Sequence, residues 1–333
     1  MQHILSVTTP FFALVLLGWA VARLRWLPLD AIPGLNGFVL YFALPCMLLR
    51  FSATTPIAQL LDGAVVSVYL ASAAAMVALA VGLARRRGMR WNDAAFGALV
   101  AAFPNSGFMG VPLLVALLGP VAAAPAIVAL ALDMVVTTSL CIAVSQLGRA
   151  GGARAAVGRA LRGMLTNPLP WSVLLGTLVS GLGLYPPAPL MRPVEMLADA
   201  ASPVALFALG AMLARGQMSA PPVGRLPDRA AVLGFVVHKL VIHPLVVFAA
   251  GRAAIAAGLP LDPFAAAVLV LVAALPSASN VPILAERFDA DGGRLARAVL
   301  FSTVAAFASF TAIVSWVDAP LAASARQGAA PGR

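Results

Sequence analysis

Hydrophobic and polar positions alternate on a long wavelength in this chain, with long apolar runs separated by short stretches that hold arginine, glycine and proline. A helix that crosses a bilayer needs about 20 predominantly apolar residues. Runs of this kind lie near Ile4–Ala22, Ile32–Phe51, Gly63–Ala84, Ala94–Leu118 and Val121–Leu147. A second set lies near Pro170–Leu184, Val194–Ala214, Ala230–Gly251, Phe264–Ala285 and Ala296–Trp316. The pattern predicts an all-α integral membrane protein with ten transmembrane helices in two sets of five. Residues 1–147 form the first set and 169–317 the second. Between them, 148–168 is a short basic linker bearing Arg149, Arg154, Arg159 and Arg162. The Ala, Gly, Pro and Arg of 318–333 predict a disordered tail.

Two of the apolar runs are interrupted where a membrane helix should be continuous. The fourth contains Ala101-Ala102-Phe103-Pro104-Asn105-Ser106-Gly107-Phe108-Met109-Gly110-Val111-Pro112. The ninth contains Ala273-Ala274-Leu275-Pro276-Ser277-Ala278-Ser279-Asn280-Val281-Pro282. Proline removes a backbone donor and glycine loosens a helix. Freed backbone groups persist at membrane depth only where protein or a water-filled cavity satisfies them. Both segments therefore predict helices broken inside the membrane. Interrupted segments at corresponding places in two halves are the sequence pointer to a secondary transporter's binding site.

Composition strengthens the membrane reading. The chain is 62% hydrophobic and 10% charged, against about a quarter charged in soluble domains. The net charge of +10 is almost all arginine, and Lys239 is the only lysine. Those arginines sit in short loops, so they read as topology determinants rather than as a nucleic-acid surface. Odd-numbered loops hold Arg23 and Arg25, then Arg85, Arg86, Arg87 and Arg90, the linker arginines, Arg215, Arg225 and Arg229, and finally Arg287, Arg294 and Arg297. Even-numbered loops hold only Arg50, Arg192 and Arg252. The positive-inside rule makes the odd loops cytoplasmic and both termini periplasmic, in a bacterial inner membrane. Five spans per half then orient the two halves oppositely, as inverted repeats require. Arg23 and Arg25 follow the first apolar run, which fits a retained span better than a cleaved signal peptide. Cys46 and Cys141 lie inside apolar runs and predict neither a disulfide framework nor a metal site.

The breaks hold the first candidate residues. Ended half-helices expose amide groups and carry about half a unit of charge at each terminus, so their N-termini suit anions. Pro104, Asn105, Ser106 and Gly107, with Pro276, Ser277, Ser279 and Asn280, are the substrate-binding candidates. The polar ones supply neutral donors for a carboxylate without burying a permanent charge. Asn36, in the irregular second run, is a further candidate, and Ser202 in the seventh is its counterpart in kind. The alternative is that the prolines merely kink the helices. Ionisable residues inside a membrane are costly and mark function by default. Asp133, Lys239 and His238 are the candidates for coupling or substrate charge, set against a buried structural pair. Asp199 lies near the end of its span, and His243 beside Pro244 is expected to satisfy a freed carbonyl. Arg50 and Glu195 are expected to snorkel. Phosphate loops, zinc pairs and catalytic triads are missing, which argues against an enzyme.

At Asn105-Ser106-Gly107-Phe108-Met109-Gly110-Val111-Pro112 the sequence resembles the auxin efflux carrier family, in its bacterial branch related to plant PIN transporters. Pro276 to Pro282 and Lys239-Leu240…Pro244 extend the resemblance, which covers essentially the whole chain. It implies inverted five-helix repeats whose fourth and ninth helices break and cross, and an elevator-like cycle of one helix panel against another. Family substrates are organic anions, auxin in plants and carboxylates such as malonate or malate in bacteria. The short 148–168 linker stands where many plant members carry a long hydrophilic loop. Together these readings predict a secondary transporter of a small organic anion, bound at the helix crossover. No cofactor is expected beyond a proton or sodium as coupling ion, and small-residue faces permit a homodimer. A sodium symporter of the bile-acid transporter type and a carboxylate sensor without transport are the alternatives.

Overall fold

The computed structural model describes residues 2–147, 168–183, 186–219 and 226–328. The linker 148–168, apart from its last residue Pro168, lies outside the described residues, and its four arginines with it. The described residues are helical, with no strand among them, and seven helices are long and apolar enough to cross a membrane.

Each expected run appears as helix. Helix α1 is Gln2–Arg23, α2 Ala31–Thr54 and α3 Gly63–Arg86. The fourth run divides into α4, Trp91–Ala102, and α5, Ser106–Leu118. Next come α6, Pro120–Ser145, α7, Pro168–Leu182, and α8, Ala188–Ser219. Then follows α9, Arg229–Ala256. The ninth run divides into α10, Pro263–Ala274, and α11, Val281–Glu286. Helix α12 spans Gly292–Gly328. Its backbone stays helical past Asp318, where a disordered tail was expected; the alanines from Ala319 to Ala325 favour helix. The Asp62 carboxylate starts α3 by accepting from the Ala64 and Val65 amides, and Asp262 starts α10 by accepting from Ala265. These are ordinary N-caps, which satisfy amides that a helix leaves open.

Wide, π-type turns recur at Val39–Ala43, Ser106–Gly110, Asp133–Thr137 and His238–Ile242. Three of them have a physical cause in sequence. Pro45, Pro112 and Pro244 follow two residues after the turn ends. A proline ring collides with the carbonyl four residues back and offers no N–H. That carbonyl belongs to Tyr41, Phe108 or Leu240, each inside a widened turn. Widening moves it aside and lets the helix continue through the proline. The fourth turn has no proline and holds Asp133.

The helices pack as two panels. Helix α1 lies along α8, and α2 packs against both α7 and α8. Backbones meet directly at this seam: a Cβ placed on Gly210 would sit 1.8 Å from the Val15 carbonyl oxygen, and one on Gly18 would sit 2.0 Å from that of Phe207. Glycine alone admits such an approach, as at other membrane helix seams. Helices α3, α4, α6, α9, α10 and α12 form the second panel. The loop after α11 is clasped to the start of α4. Asp93 takes the Asp291 backbone amide and a 2.9 Å hydrogen bond from Arg90, while Asn92 Nδ2 donates to the Phe288 carbonyl. Phe96 packs on Phe288 beside them. The Asp93 hydrogen bond and charge raise the Arg90 pKa above its usual value.

Candidate functional site

Both breaks sit side by side in the protein's interior. The Asn105 amide donates to the Pro276 carbonyl at 2.8 Å, and the Ala278 amide donates to the Phe103 carbonyl at 2.9 Å. Pro104 and Ser277 thus form a two-bond antiparallel bridge, a fragment of sheet inside a helical membrane protein. The prolines freed these main-chain groups, and each break supplies the other's missing partner, as a water-poor interior requires. Gly110 allows the approach, since a Cβ there would lie 2.5 Å from the Leu275 side chain. The Ser277 amide is taken by Ser302 of α12.

Beside the bridge is a narrow cleft of about 30 Å³. Pro104, Asn105, Gly107, Ser279 and Asn280 line it, together with Leu40 and Leu44 of α2, Leu130 and Met134 of α6, and Leu169 of α7. Asn105 is 4% exposed and Ser277 is fully buried, yet Asn105 Nδ2 and Ser277 Oγ have no hydrogen-bond partner. A buried unmatched polar atom costs about 1–3 kcal/mol; Asn105 lines the cleft, whereas Ser277 lies outside its lining. Ser106 is less available, because its hydroxyl reaches the Pro104 carbonyl at 3.4 Å. Helix α5 starts at Ser106 and points an N-terminus into the same region. Pro276 contributes its carbonyl to the bridge. The structure does not bring Asn36 here: it is half-buried in α2, away from the cleft lining, although its Oδ1 also lacks a partner.

Behind the cleft is a buried charged cluster. Asp133 is fully buried on its wide turn in α6, accepting from the Tyr69 hydroxyl at 2.6 Å and the Thr137 hydroxyl at 2.9 Å. Lys239, equally buried on α9, donates to the Ala273 carbonyl at 2.9 Å and lies 2.8 Å from His243 Nδ1. Ala273 belongs to the last turn of α10 before the second break, where the carbonyl ends of a helix attract a cation. The two charges interact electrostatically but make no ion pair. His238 stays outside the cluster. Its Nδ1 contacts the Gly234 carbonyl, and the ring lies in a groove beside Arg87 and Met89. His243, expected to satisfy a freed carbonyl, instead faces Lys239. The i, i+4 spacing of Lys239 and His243, shared by Asp133 and Thr137, was the signal for this, whereas Tyr69 carried none. Asp199 pairs with Arg50 at 2.6 Å in an exposed position, and Arg192 reaches Glu195 at 3.5 Å.

A multi-pass helical chain with paired intramembrane breaks, buried charges and an internal cleft belongs to the class of membrane transporters. The family described as "Membrane transport protein" matches residues 3–150 and 153–314. The chain belongs to this family, that of the auxin efflux carriers which the Asn105–Pro112 motif resembles. It is 32% identical over 322 residues to a Rhizobium meliloti (strain 1021) protein named "Putative malonate transporter", covering 94% of this chain and 96% of that one. It is 27% identical over 200 residues to the Escherichia coli (strain K12) "Uncharacterized transporter YfdV", covering 59% of this chain and 60% of that one. Family and relatives are transporters, not enzymes.

Proposed function

We propose that this protein is a secondary active transporter of a small organic anion, bound in the cleft where the two broken helices cross. The observation that carries the reading is the buried, unpartnered donor Asn105 Nδ2, which lines the cleft beside the bridge between the breaks. Ser279, Asn280 and the N-terminus of α5 add neutral donors and a partial positive charge. Helix α11 is only six residues long, so the second break contributes side chains more than a helix end. The apolar walls formed by Leu40, Leu44, Leu130 and Met134 suit the carbon skeleton of a carboxylate. The name of the Rhizobium relative makes malonate the first compound to try.

In this reading, α1 to α6 and α7 to α12 are two inverted repeats that together give ten membrane crossings. Packing of α1 on α8 and of α2 on α7 has the symmetry expected on exchange of the halves. The panel of α1, α2, α7 and α8 is the scaffold, and the other panel slides against it in an elevator-like cycle. Both arginine-rich loops that meet in the Asp93 clasp were assigned to the cytoplasm, which favours an inner-membrane orientation with periplasmic termini.

The test is thermal unfolding of the purified protein with mono- and dicarboxylates, including malonate, with and without sodium. A ligand at 100 times its Kd adds about 2.7 kcal/mol to the folded state, a shift of several degrees. Stabilisation by a carboxylate that disappears in Asn105→Ala is the expected result. Stabilisation by no carboxylate, or one that persists in Asn105→Ala, defeats the proposal. A shift that requires sodium would turn the reading to a sodium symporter.

A further inference from the structure

We propose that Asp133 is a proton-binding site that cancels one unit of substrate charge during transport, with Lys239 as its fixed counter-charge. The inference rests on the carrier reading above and adds the coupling ion to it.

The chemistry of the partners separates the two charged groups. Asp62 and Asp262 accept from backbone amides, which only donate and therefore hold a carboxylate ionised. Asp133 is held by hydroxyls instead, those of Tyr69 and Thr137. A hydroxyl accepts as readily as it donates. Asp133 can therefore keep a hydrogen-bonded partner whether it is a carboxylate or a carboxylic acid, with no heavy atom moving. Lys239 meets the opposite surroundings. Its Nζ donates to the Ala273 carbonyl at the carbonyl end of α10 and lies against His243 Nδ1. The carbonyl end of a helix favours an ammonium there.

Charge balance supplies the reason for a proton. In the empty protein, the carboxylate and the ammonium cancel inside a fully buried cluster. Uncompensated charge is expensive in a membrane interior. An anion entering the cleft adds negative charge beside the wide turn that holds Asp133, since Met134 lines the cleft from that turn. One proton on an Asp133 oxygen, taken from water on the loading side and released on the other, removes one unit of that charge. No electron or leaving group is involved: an O–H bond forms on loading and breaks on release. Among the described residues, the ionisable groups that bear on Asp133 are Tyr69 of α3, Cys141 of α6 and Lys239 of α9, with His243 behind Lys239.

The experiment uses the full chain in lipid vesicles with malonate as probe and a pH dye inside. Wild-type protein should exchange malonate across the membrane and move protons with it, and an acid-outside gradient should drive accumulation. Asp133→Asn keeps the shape and stays neutral. It should retain malonate exchange but lose both the proton signal and the gradient-driven accumulation. It should also move one more negative charge per malonate, so an inside-positive potential accelerates its uptake more than that of the wild type. Retained proton movement in Asp133→Asn overturns the inference. So does loss of exchange in a variant that melts like the wild type, because Asp133 would then serve substrate movement itself. If Asp133→Asn fails to fold, Tyr69→Phe decides. It must shift the pH at which malonate-driven proton uptake is half-maximal, and an unmoved midpoint overturns the inference. Wild-type protein that exchanges malonate without protons also overturns it, while leaving the carrier reading intact. Absence of wild-type exchange with malonate and with every other mono- and dicarboxylate of the unfolding test defeats the carrier reading, and this inference with it.

Discussion

At Asn105 the main chain and the side chain have separate uses. The amide N–H is committed to the Pro276 carbonyl, while Nδ2 is buried without a partner. Asn105→Ala should therefore preserve the bridge and melt close to the wild type without ligand, yet lose carboxylate stabilisation; paired melting curves check both halves of that statement. Lys239→Met is expected to behave in the opposite way. Stranding a buried carboxylate costs about 3–5 kcal/mol, so it should unfold at markedly lower temperature. Adding Asp133→Asn should recover much of the loss, a non-additivity that a double-mutant cycle measures. Tyr69→Phe removes one hydrogen bond to a charged group, worth about 1.5–3 kcal/mol, and should lower the melting temperature by less than Lys239→Met does. Asn105, Asp133 and Lys239 were legible in the sequence because a polar residue inside an apolar run is conspicuous. Tyr69 was not, since a tyrosine in a membrane helix has many uses and its partner lies 64 positions away. His238 drew attention because it adjoins Lys239, but neighbours in a helix diverge by about 100°, while His243 shares the face.

Helices were the easiest level to read, because a bilayer demands long apolar runs and the prolines at 104 and 276 announced the breaks. The wide turns were not expected, although three follow directly from prolines whose rings must clear a carbonyl. The length of α12 was also missed, since Gly and Pro near the end of the chain drew attention away from the alanines before them. Contacts between elements are set by glycines whose partners sequence does not reveal. Gly210→Ala should force α1 and α8 apart, because the obstacle is the Val15 backbone and not a side chain that can turn. Overpacking of this kind costs about 1–3 kcal/mol. The measurement is the melting temperature, with Ala208→Gly on the same buried helix as a comparison that adds no atoms.

For the whole molecule, loop charge gave an orientation, and the clasp between the start of α4 and the loop before α12 joins two loops assigned to one side. A cysteine at the exposed Arg86, in protein whose Cys46 and Cys141 are replaced by alanine, should react with a membrane-impermeant thiol reagent in inverted vesicles and not in intact cells. The opposite labelling would reverse the orientation. The bridge between the breaks has a consequence for how such proteins diversify. It is made entirely of main-chain atoms, so residues 105, 277, 279 and 280 can be exchanged without dismantling the frame that presents them. Under the proposed function, preference for cargo is thereby uncoupled from the architecture that moves it. One scaffold can drift among substrates by altering a handful of codons, and an engineer can treat those positions as a palette.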